Sequence, residues 1–401
     1  MKTSYIIDGV RTPIGSLGGM LSTVRTDDLA AHVIKKLMEK FKNLDPFLIS
    51  DVILGCANQS GEDNRNIARM ALLLAGLSTH VPGETVNRLC ASGMSAVVNA
   101  HRAIQNGDGE IFIAGGVEGM TRGPWIISKT SSAFGRDAKM FDSTFGWRFI
   151  NPLMERNYGC DSMGQTAENL AKMYQISRED QDLLAYNSQM KYNKALKSNR
   201  FEKEIGAIEV QSGKKDTIWM VNDEFPKPAT TPEKLSMLKP AFDVNGTVTA
   251  GNSSGLNDGA AALLIASEKV ISQQNLQPIA RIVSNSVVGV EPRIMGIGPV
   301  EASKRALDKA GLRIGEMDII ELNEAFAAQV LACTRNLGLE DEDPRLNPNG
   351  GAIALGHPLG MSGARLILTA AKELQVRQKK YALCTMCIGV GQGYAVILER
   401  V

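Results

Sequence analysis

Aromatic side chains are scarce, 5% of the 401 residues with three tryptophans. That argues against a stacking platform for single-stranded nucleic acid. An excess of one charge is absent too. Lys and Arg number 44 against 43 Asp and Glu, a formal +1, so neither nucleic acid nor an anionic membrane is expected as the main partner. No apolar run reaches the roughly 18 residues of a membrane span. The opening residues, Met1-Lys2-Thr3-Ser4-Tyr5-Ile6-Ile7-Asp8, have no signal-peptide core and no transit pattern, and Leu398-Glu399-Arg400-Val401 ends in no peroxisomal or prenylation signal. A cytoplasmic protein is the expectation. Histidine is limited to four positions and cysteine to six, and thiols in such a chain are expected to be free.

Glycine, by contrast, is abundant at 39 residues, above the usual ~7%, and it clusters where backbone approaches something closely. The length suggests two to three domains at ~150 residues each. Strand and helix signals alternate. Leu29, Val33, Leu37 and Phe41 mark an amphipathic helix over 26–41, while Asp51 to Gly55 and Ile111 to Gly116 read as buried strands. This alternation predicts an α/β protein with a mainly parallel sheet. A repeat is also visible. Asp51-Val52-Ile53-Leu54 matches Asp318-Ile319-Ile320-Glu321, and Gly93-Met94-Ser95 matches Gly360-Met361-Ser362, both at an offset of 267. Gly259 to Ile265 resembles Gly393 to Leu398. The chain therefore divides into a first half (1–120 with 251–273), a second half (274–401) and an insertion (121–250). The insertion is loop-rich, with Pro-containing turns and one clear helix, Arg178 to Ser198.

Four segments could carry chemistry. In Val86-Asn87-Arg88-Leu89-Cys90-Ala91-Ser92-Gly93 a cysteine immediately precedes a helix start, where the helix N-terminus would lower a thiol pKa. A buried inert Cys is the bland alternative. Asn347 to Gly360 places His357 among glycines at the turn into the repeat helix. His32 and His101 fall on predicted helices and His80 in a turn, where ordinary structural roles suffice. His357 is the counterpart of the Cys90 position, and a pseudo-two-fold duplication would bring a Cys nucleophile and its base together. Cys384-Thr385-Met386-Cys387-Ile388-Gly389-Val390-Gly391-Gln392-Gly393 contains a C-x-x-C, which admits redox or metal readings. It lacks the second pair zinc needs, and no metal set is expected. Its glycines suit backbone N–H groups aimed at an oxyanion. Finally, Asn323 in Glu321-Leu322-Asn323-Glu324-Ala325-Phe326-Ala327 could cap a helix or hold a water or a ligand carbonyl.

Together these segments, with Thr249-Ala250-Gly251-Asn252-Ser253-Ser254-Gly255-Leu256-Asn257-Asp258-Gly259-Ala260-Ala261, resemble the thiolase family over the whole chain. The resemblance implies two duplicated α/β halves in α-β-α-β-α layers with an inserted loop domain that binds CoA and makes subunit contacts. It implies Cys90 as the acyl-accepting nucleophile, His357 as its base and Cys387 as the second acid/base. One oxyanion hole would use His357 and a water held by Asn323. The other would use the N–H groups of Cys90 and Gly389. CoA and acyl-CoA would be substrates, with no permanently bound cofactor. Met163, Lys227, Phe242, Ala250, Ser254, Ala325 and Phe326 match CoA-contacting positions. A homodimer or homotetramer is implied.

The stretch Met140 to Met154, Ser162 before Met163-Gly164, and Gly61-Glu62-Asp63-Asn64-Arg65-Asn66 look like the 3-oxoadipyl-CoA thiolases of aromatic-acid breakdown. A dicarboxylic acyl chain needs a cation for its far carboxylate, and Arg148 is the candidate. Acetoacetyl-CoA thiolase, a general 3-ketoacyl-CoA thiolase of fatty-acid β-oxidation, and a non-catalytic CoA-binding protein are the alternatives. A decarboxylating condensing enzyme would be expected to show a second His or an Asn where this chain has a second Cys.

Overall fold

The computed structural model describes residues 2–213 and 216–401. In chain order, β1 (Ser4–Arg11) and β2 (Gly15–Ser16) lead to α1 (Thr26–Lys40), β3 (Asp51–Gly55), α2 (Ile67–Leu74), β4 (Gly83–Val86), α3 (Ser92–Asn106) and β5 (Ile111–Gly119). The chain then leaves the sheet through β6 (Trp125–Ile127), β7 (Met140–Asp142), α4 (Pro152–Tyr158), α5 (Met163–Met173), α6 (Arg178–Lys197), β8 (Ile208–Ser212), β9 (Asp216–Met220) and α7 (Pro232–Ser236). It re-enters with β10 (Asn257–Ser267), followed by α8 (Glu268–Gln274), β11 (Ala280–Gly289), α9 (Gly298–Ala310), β12 (Ile319–Leu322), α10 (Ala327–Leu337), α11 (Ala352–Leu355), α12 (Leu359–Arg377), β13 (Tyr381–Ile388) and β14 (Gln392–Arg400).

The excursion holds more helix than the one expected, since α4, α5 and α7 join α6. Each starts on a side-chain cap: Asn151, Ser162 and Thr231 accept from the N–H of Leu153, Gln165 and Lys234. Two of them add Pro in the first turn, where a missing N–H costs nothing.

The strand order is β12-β13-β14-β11-β1-β10-β5-β3-β4. The expectation of a mainly parallel sheet is wrong. Only β12/β13, β3/β4 and β3/β5 run parallel, and every other pairing along this path is antiparallel. An apolar run marks a buried strand but carries no information about its direction, and β10 and β14 return against their neighbours. The repeat does appear in the topology. β3-β5-β10-β1 and β12-β13-β14-β11 share one pattern of parallel, antiparallel and antiparallel pairs. The two halves meet where β1 pairs with β11 at only Tyr5↔Arg281 and Ile6↔Ala280.

Three apolar cores give the layers. One lies under α1 and α2, one under α9 and α10, and the largest surrounds α3 and α12 between the half-sheets. The two central helices touch backbone to backbone. A Cβ on Gly93 would stand 2.5 Å from the Gly360 carbonyl oxygen, and one on Gly363 2.5 Å from the Met94 nitrogen. The repeated Gly-Met-Ser segments are thus the two faces of the central contact, and their helix starts lie side by side.

Candidate active site

Cys90 sits in a tight turn between β4 and α3. Leu89 adopts φ +47°, a costly conformation for a side-chain-bearing residue. The turn is over-determined by hydrogen bonds. The Leu89 N–H donates to Asn87 Oδ1 (2.9 Å), the Ser92 hydroxyl donates to the Leu89 carbonyl (2.7 Å), and the Arg88 N–H donates to Ser92 Oγ (2.8 Å). The Gly389 N–H, from the tight turn joining β13 to β14, points at the Cys90 sulfur. The helix start does not win at this thiol. Desolvation pushes it up to about 11, although the N–H groups of Gly389 and Cys90 pull the other way. The expectation of a lowered thiol pKa is therefore corrected: burial outweighs the ~0.3–1 kcal/mol of a helix end, and the resting group is the neutral thiol.

His357 follows Gly356, whose φ of +104° and crowding against Asn257 admit no side chain. The His357 N–H donates to Asn257 Oδ1 (2.9 Å). Nδ1 lies 2.6 Å from Ser362 Oγ, and that hydroxyl donates to the Pro358 carbonyl (2.7 Å). With the hydroxyl hydrogen spent, Nδ1 must carry the ring hydrogen and donate it. Nε2 then keeps its lone pair and faces the Asn323 amide at 3.4 Å. Burial, with Arg365 adding to it, lowers the imidazole pKa to about 3, so it is neutral and able to accept a proton. Asn323 is not a helix cap, since α10 starts at Ala327. Its Oδ1 is buried with no partner among the described residues, an orphan acceptor of the kind a bound water satisfies.

Cys387 lies on β13 and is 1% exposed. It packs with Ala325, Phe326 and the partly buried Met163. Burial drives its thiol pKa well up, and the nearby Cys90 adds to the rise, so the two sulfurs are electrostatic neighbours. Cys384 is a separate matter. Three residues apart on a strand, Cys384 and Cys387 face opposite sides. Cys384 Sγ contacts the Leu366 carbonyl at 3.6 Å, and both thiols are free. The C-x-x-C is therefore not a redox pair. The resting protein forms no hydrogen bond between Cys90 and His357 among the described residues. The α3/α12 contact sets the turns that carry them side by side.

A cavity of about 360 Å³ opens on Cys90 and Gly389. Met163, Trp147, Arg148 and Ser143 from the excursion form one wall, and Asn58 and Glu118 from the first half another. A second cavity of about 530 Å³ holds Lys227 and Ala250. Phe242 stands edge-on to Phe326 at 6.1 Å, and the Ser254 N–H donates to the Ala325 carbonyl at 3.0 Å. These contacts place Ser254, Ala325, Phe326 and Phe242 on one continuous edge beside Cys387.

Glu118, Asn257 and Ser362 carry no role in the sequence reading, although Asn257 and Ser362 stand inside the quoted segments. Their roles come from contacts made across the fold. Glu118, at the end of β5, accepts the N–H groups of Ala57 (3.0 Å), Asn58 (3.0 Å) and Gly360 (2.8 Å). Burial raises its carboxyl to about 7 despite these donors. With Cys56 and Asp63 it makes the one group of metal-type donors among the described residues. Its oxygens are committed to those N–H groups, and those of Asp63 to the N–H groups of Gln59 and Gly61.

Residues 4–269 match the family model for the thiolase N-terminal domain, and 276–400 that for the thiolase C-terminal domain. The chain is 58% identical, over the full length of both, to a 3-oxoadipyl-CoA/3-oxo-5,6-dehydrosuberyl-CoA thiolase of Escherichia coli. It is 53% identical, again at full length, to a beta-ketoadipyl-CoA thiolase of Acinetobacter baylyi. Among solved structures it resembles human mitochondrial 3-ketoacyl-CoA thiolase with a TM-score of 0.92 at 40% identity, covering 100% of this chain and 99% of that one. The chain belongs to the thiolase family.

Proposed function

We propose that this enzyme cleaves 3-oxoadipyl-CoA with CoA to succinyl-CoA and acetyl-CoA, through a thioester on Cys90. The observation that supports the reading is the cavity of about 360 Å³ that opens on Cys90 and Gly389, with the buried, neutral His357 at the adjoining helix start and the buried Cys387 thiol an electrostatic neighbour of Cys90. The names of the full-length relatives support the substrate.

As the Cys90 sulfur attacks the C3 ketone, its proton passes to His357 Nε2. Both groups start neutral, so the charge separation has to be stabilised at the ketone oxygen. The C2–C3 bond breaks, and C2 takes a proton from the Cys387 thiol. The acyl group is left on Cys90. The CoA thiol then attacks this thioester and the Cys90 sulfur leaves. The CoA proton and the one held on His357 restore the two cysteine thiols. An enolate beside a thioester is too basic to form without donors at its oxygen. His357 with a water on Asn323 is assigned to that role, and the N–H groups of Cys90 and Gly389 to the thioester oxygen. One such donor is typically worth ~10²–10³ in rate.

In this reading CoA lies along Met163, Phe242, Ser254, Ala325 and Phe326, with Lys227 and Ala250 toward its nucleotide end. Residues 121–250 act as an insertion serving CoA and subunit contacts. CoA and acyl-CoA pass through as substrates, and the assigned proton transfers call on no resident cofactor. The enzyme works in the cytoplasm as a dimer or tetramer, in aromatic-acid breakdown.

The test is incubation with acetyl-CoA in deuterated water. Native protein is expected to exchange the methyl hydrogens and to acetylate Cys90. In Cys387→Ala the acetylation should survive while exchange falls by ~10²–10⁴, the usual worth of a positioned acid/base. Loss of both in a folded variant would overturn the division of labour.

A further inference from the structure

Arg148 stands on the wall of the Cys90 cavity with no ion-pair partner among the described residues. Its Nη1 donates to the Ser143 carbonyl at 3.3 Å, and its Nη2 faces Asn58 Oδ1 and Ser60 Oγ, each at 3.4 Å. All three acceptors are neutral and all three contacts are long. They orient a guanidinium without neutralising it, and its Nε–H is left without an acceptor among the described residues. A cation beside an apolar acyl cavity, positioned but unpaired, is a site prepared for an anion.

The segment that holds it is rigid for a stated reason. Ala57 and Asn58 hang by their N–H groups on Glu118, while Gln59 and Gly61 hang on Asp63. Gln59 takes φ +55°, a conformation that persists only where the surroundings enforce it. The Asn58 amide also donates to Ser143 Oγ at 3.3 Å, and the Ser60 hydroxyl donates to the Asn58 carbonyl at 3.2 Å. The loop after β3 and the excursion are thus tied together at the point where the guanidinium enters. Reach is consistent as well. In a succinyl thioester three C–C bonds of about 1.5 Å each separate the carbonyl carbon from the carboxylate, so its anchor has to line the cavity that holds the thiol. Arg148 does.

We propose that Arg148, oriented by Asn58 and Ser60 on the Glu118-bound loop, is the subsite that recognises a carboxylate at the far end of the acyl chain. The proposal rests on the dicarboxylic substrate reading above. It makes Arg148 a specificity residue and Asn58 and Ser60 positioning residues.

The test measures thiolysis of 3-oxoadipyl-CoA and of 3-oxohexanoyl-CoA, a six-carbon chain ending in methyl. The readout is the ratio of the two kcat/KM values. Native enzyme is expected to favour the dicarboxylate. Arg148→Gln should reduce the ratio by about 10- to 150-fold, the worth of one charged hydrogen-bond partner. The loss should fall mainly on KM, and Arg148→Lys should recover part of it. Asn58→Ala and Ser60→Ala should each reduce the ratio by a smaller factor in the native background and leave it unmoved in the Arg148→Gln background. A merely structural role would not produce that dependence on Arg148. Acetylation of Cys90 by acetyl-CoA reports that each variant is folded. A native enzyme without preference for the dicarboxylate overturns both the substrate reading and the subsite. A native preference that survives Arg148→Gln overturns the subsite alone. Equal effects of Asn58→Ala with and without Arg148 overturn the positioning roles.

Discussion

At the scale of single residues, burial sets protonation at this site more strongly than any one partner does. Cys90, Cys387 and Glu118 all move up, and His357 moves down, so the resting site holds few net charges. Glu118 gives the clearest pH consequence. Unfolded, it releases its proton near 4.5; folded, it holds it to about 7. Between those values the folded chain binds more protons than the unfolded one. Stability contributed by Glu118 is therefore full below 4.5, falls as pH rises toward 7, and is level above. Glu118→Gln removes that slope, worth up to about 3 kcal/mol across the window. The expected outcome is a native thermal midpoint that drops between about pH 5 and pH 8 by more than the variant's does. Glu321, also raised to about 7 by burial, remains in both proteins and cancels in the comparison. Parallel profiles for the two proteins would show that Glu118 is ionised throughout.

At the scale of elements, the site exists because α3 and α12 approach without side chains between them. Gly93, Gly360 and Gly363 supply the contact, and a Cβ on Gly360 would stand 2.3 Å from the Val117 carbonyl oxygen. Gly363→Ala should therefore destabilise by about 1–3 kcal/mol as overpacking does. It should also lower kcat by about a hundredfold, because a displacement near 1 Å moves Cys90 against His357. Gly315→Ala is the control, since a Cβ there meets nothing within 4 Å and its φ is not positive. It should leave activity unchanged and shift stability by no more than about 1 kcal/mol. Circular dichroism melts and initial rates check both. The sequence already displayed this contact, as the repeated Gly-Met-Ser, because a duplicated backbone contact must reuse its glycines. Cys90 and His357 were legible for a related reason, each standing in a short segment at the turn into one of the repeated helices, whereas Cys387 was marked only by the family resemblance. Glu118 was not. Its partners Ala57, Asn58 and Gly360 lie far from it in the chain, and nothing beside Glu118 on β5 announces them. Strand direction was also hidden, since burial on both faces gives the same apolar run in either orientation. The short helices of the excursion were marked by Asn151-Pro152 and Thr231-Pro232, signals of helix starts that Pro-rich composition disguised as loop.

At the scale of the molecule, one wall of the cavity belongs to the excursion, while Cys90, the proposed nucleophile, stands in the turn between β4 and α3, so the proposed catalysis needs the two docked. A buried ionic cluster does the docking. Arg11, at the end of β1 and wholly buried, donates from Nε to Glu204 (2.9 Å) and from Nη1 and Nη2 to Asp223 (2.6 and 3.0 Å). Arg200 reaches Glu204 at 3.3 Å and also pairs with Glu373 of α12. Tyr192 donates to Asp223 at 3.3 Å. The cluster thus joins the first strand, the excursion and the central helix. Such a network adds little over well-packed apolar residues when whole, but losing one member leaves buried charge uncompensated. Arg11→Met keeps much of the volume and removes the cation shared by Glu204 and Asp223. A destabilisation of about 3–5 kcal/mol is expected, seen as a thermal midpoint lower by at least several degrees. Activity adds a second readout. If the cluster sets the docking, KM for the acyl-CoA should rise more than acetylation of Cys90 slows, because the cavity wall loosens while the α3/α12 contact stays. A variant whose midpoint falls with KM unmoved would mean that apolar packing alone seats the excursion and that the ions only stiffen it.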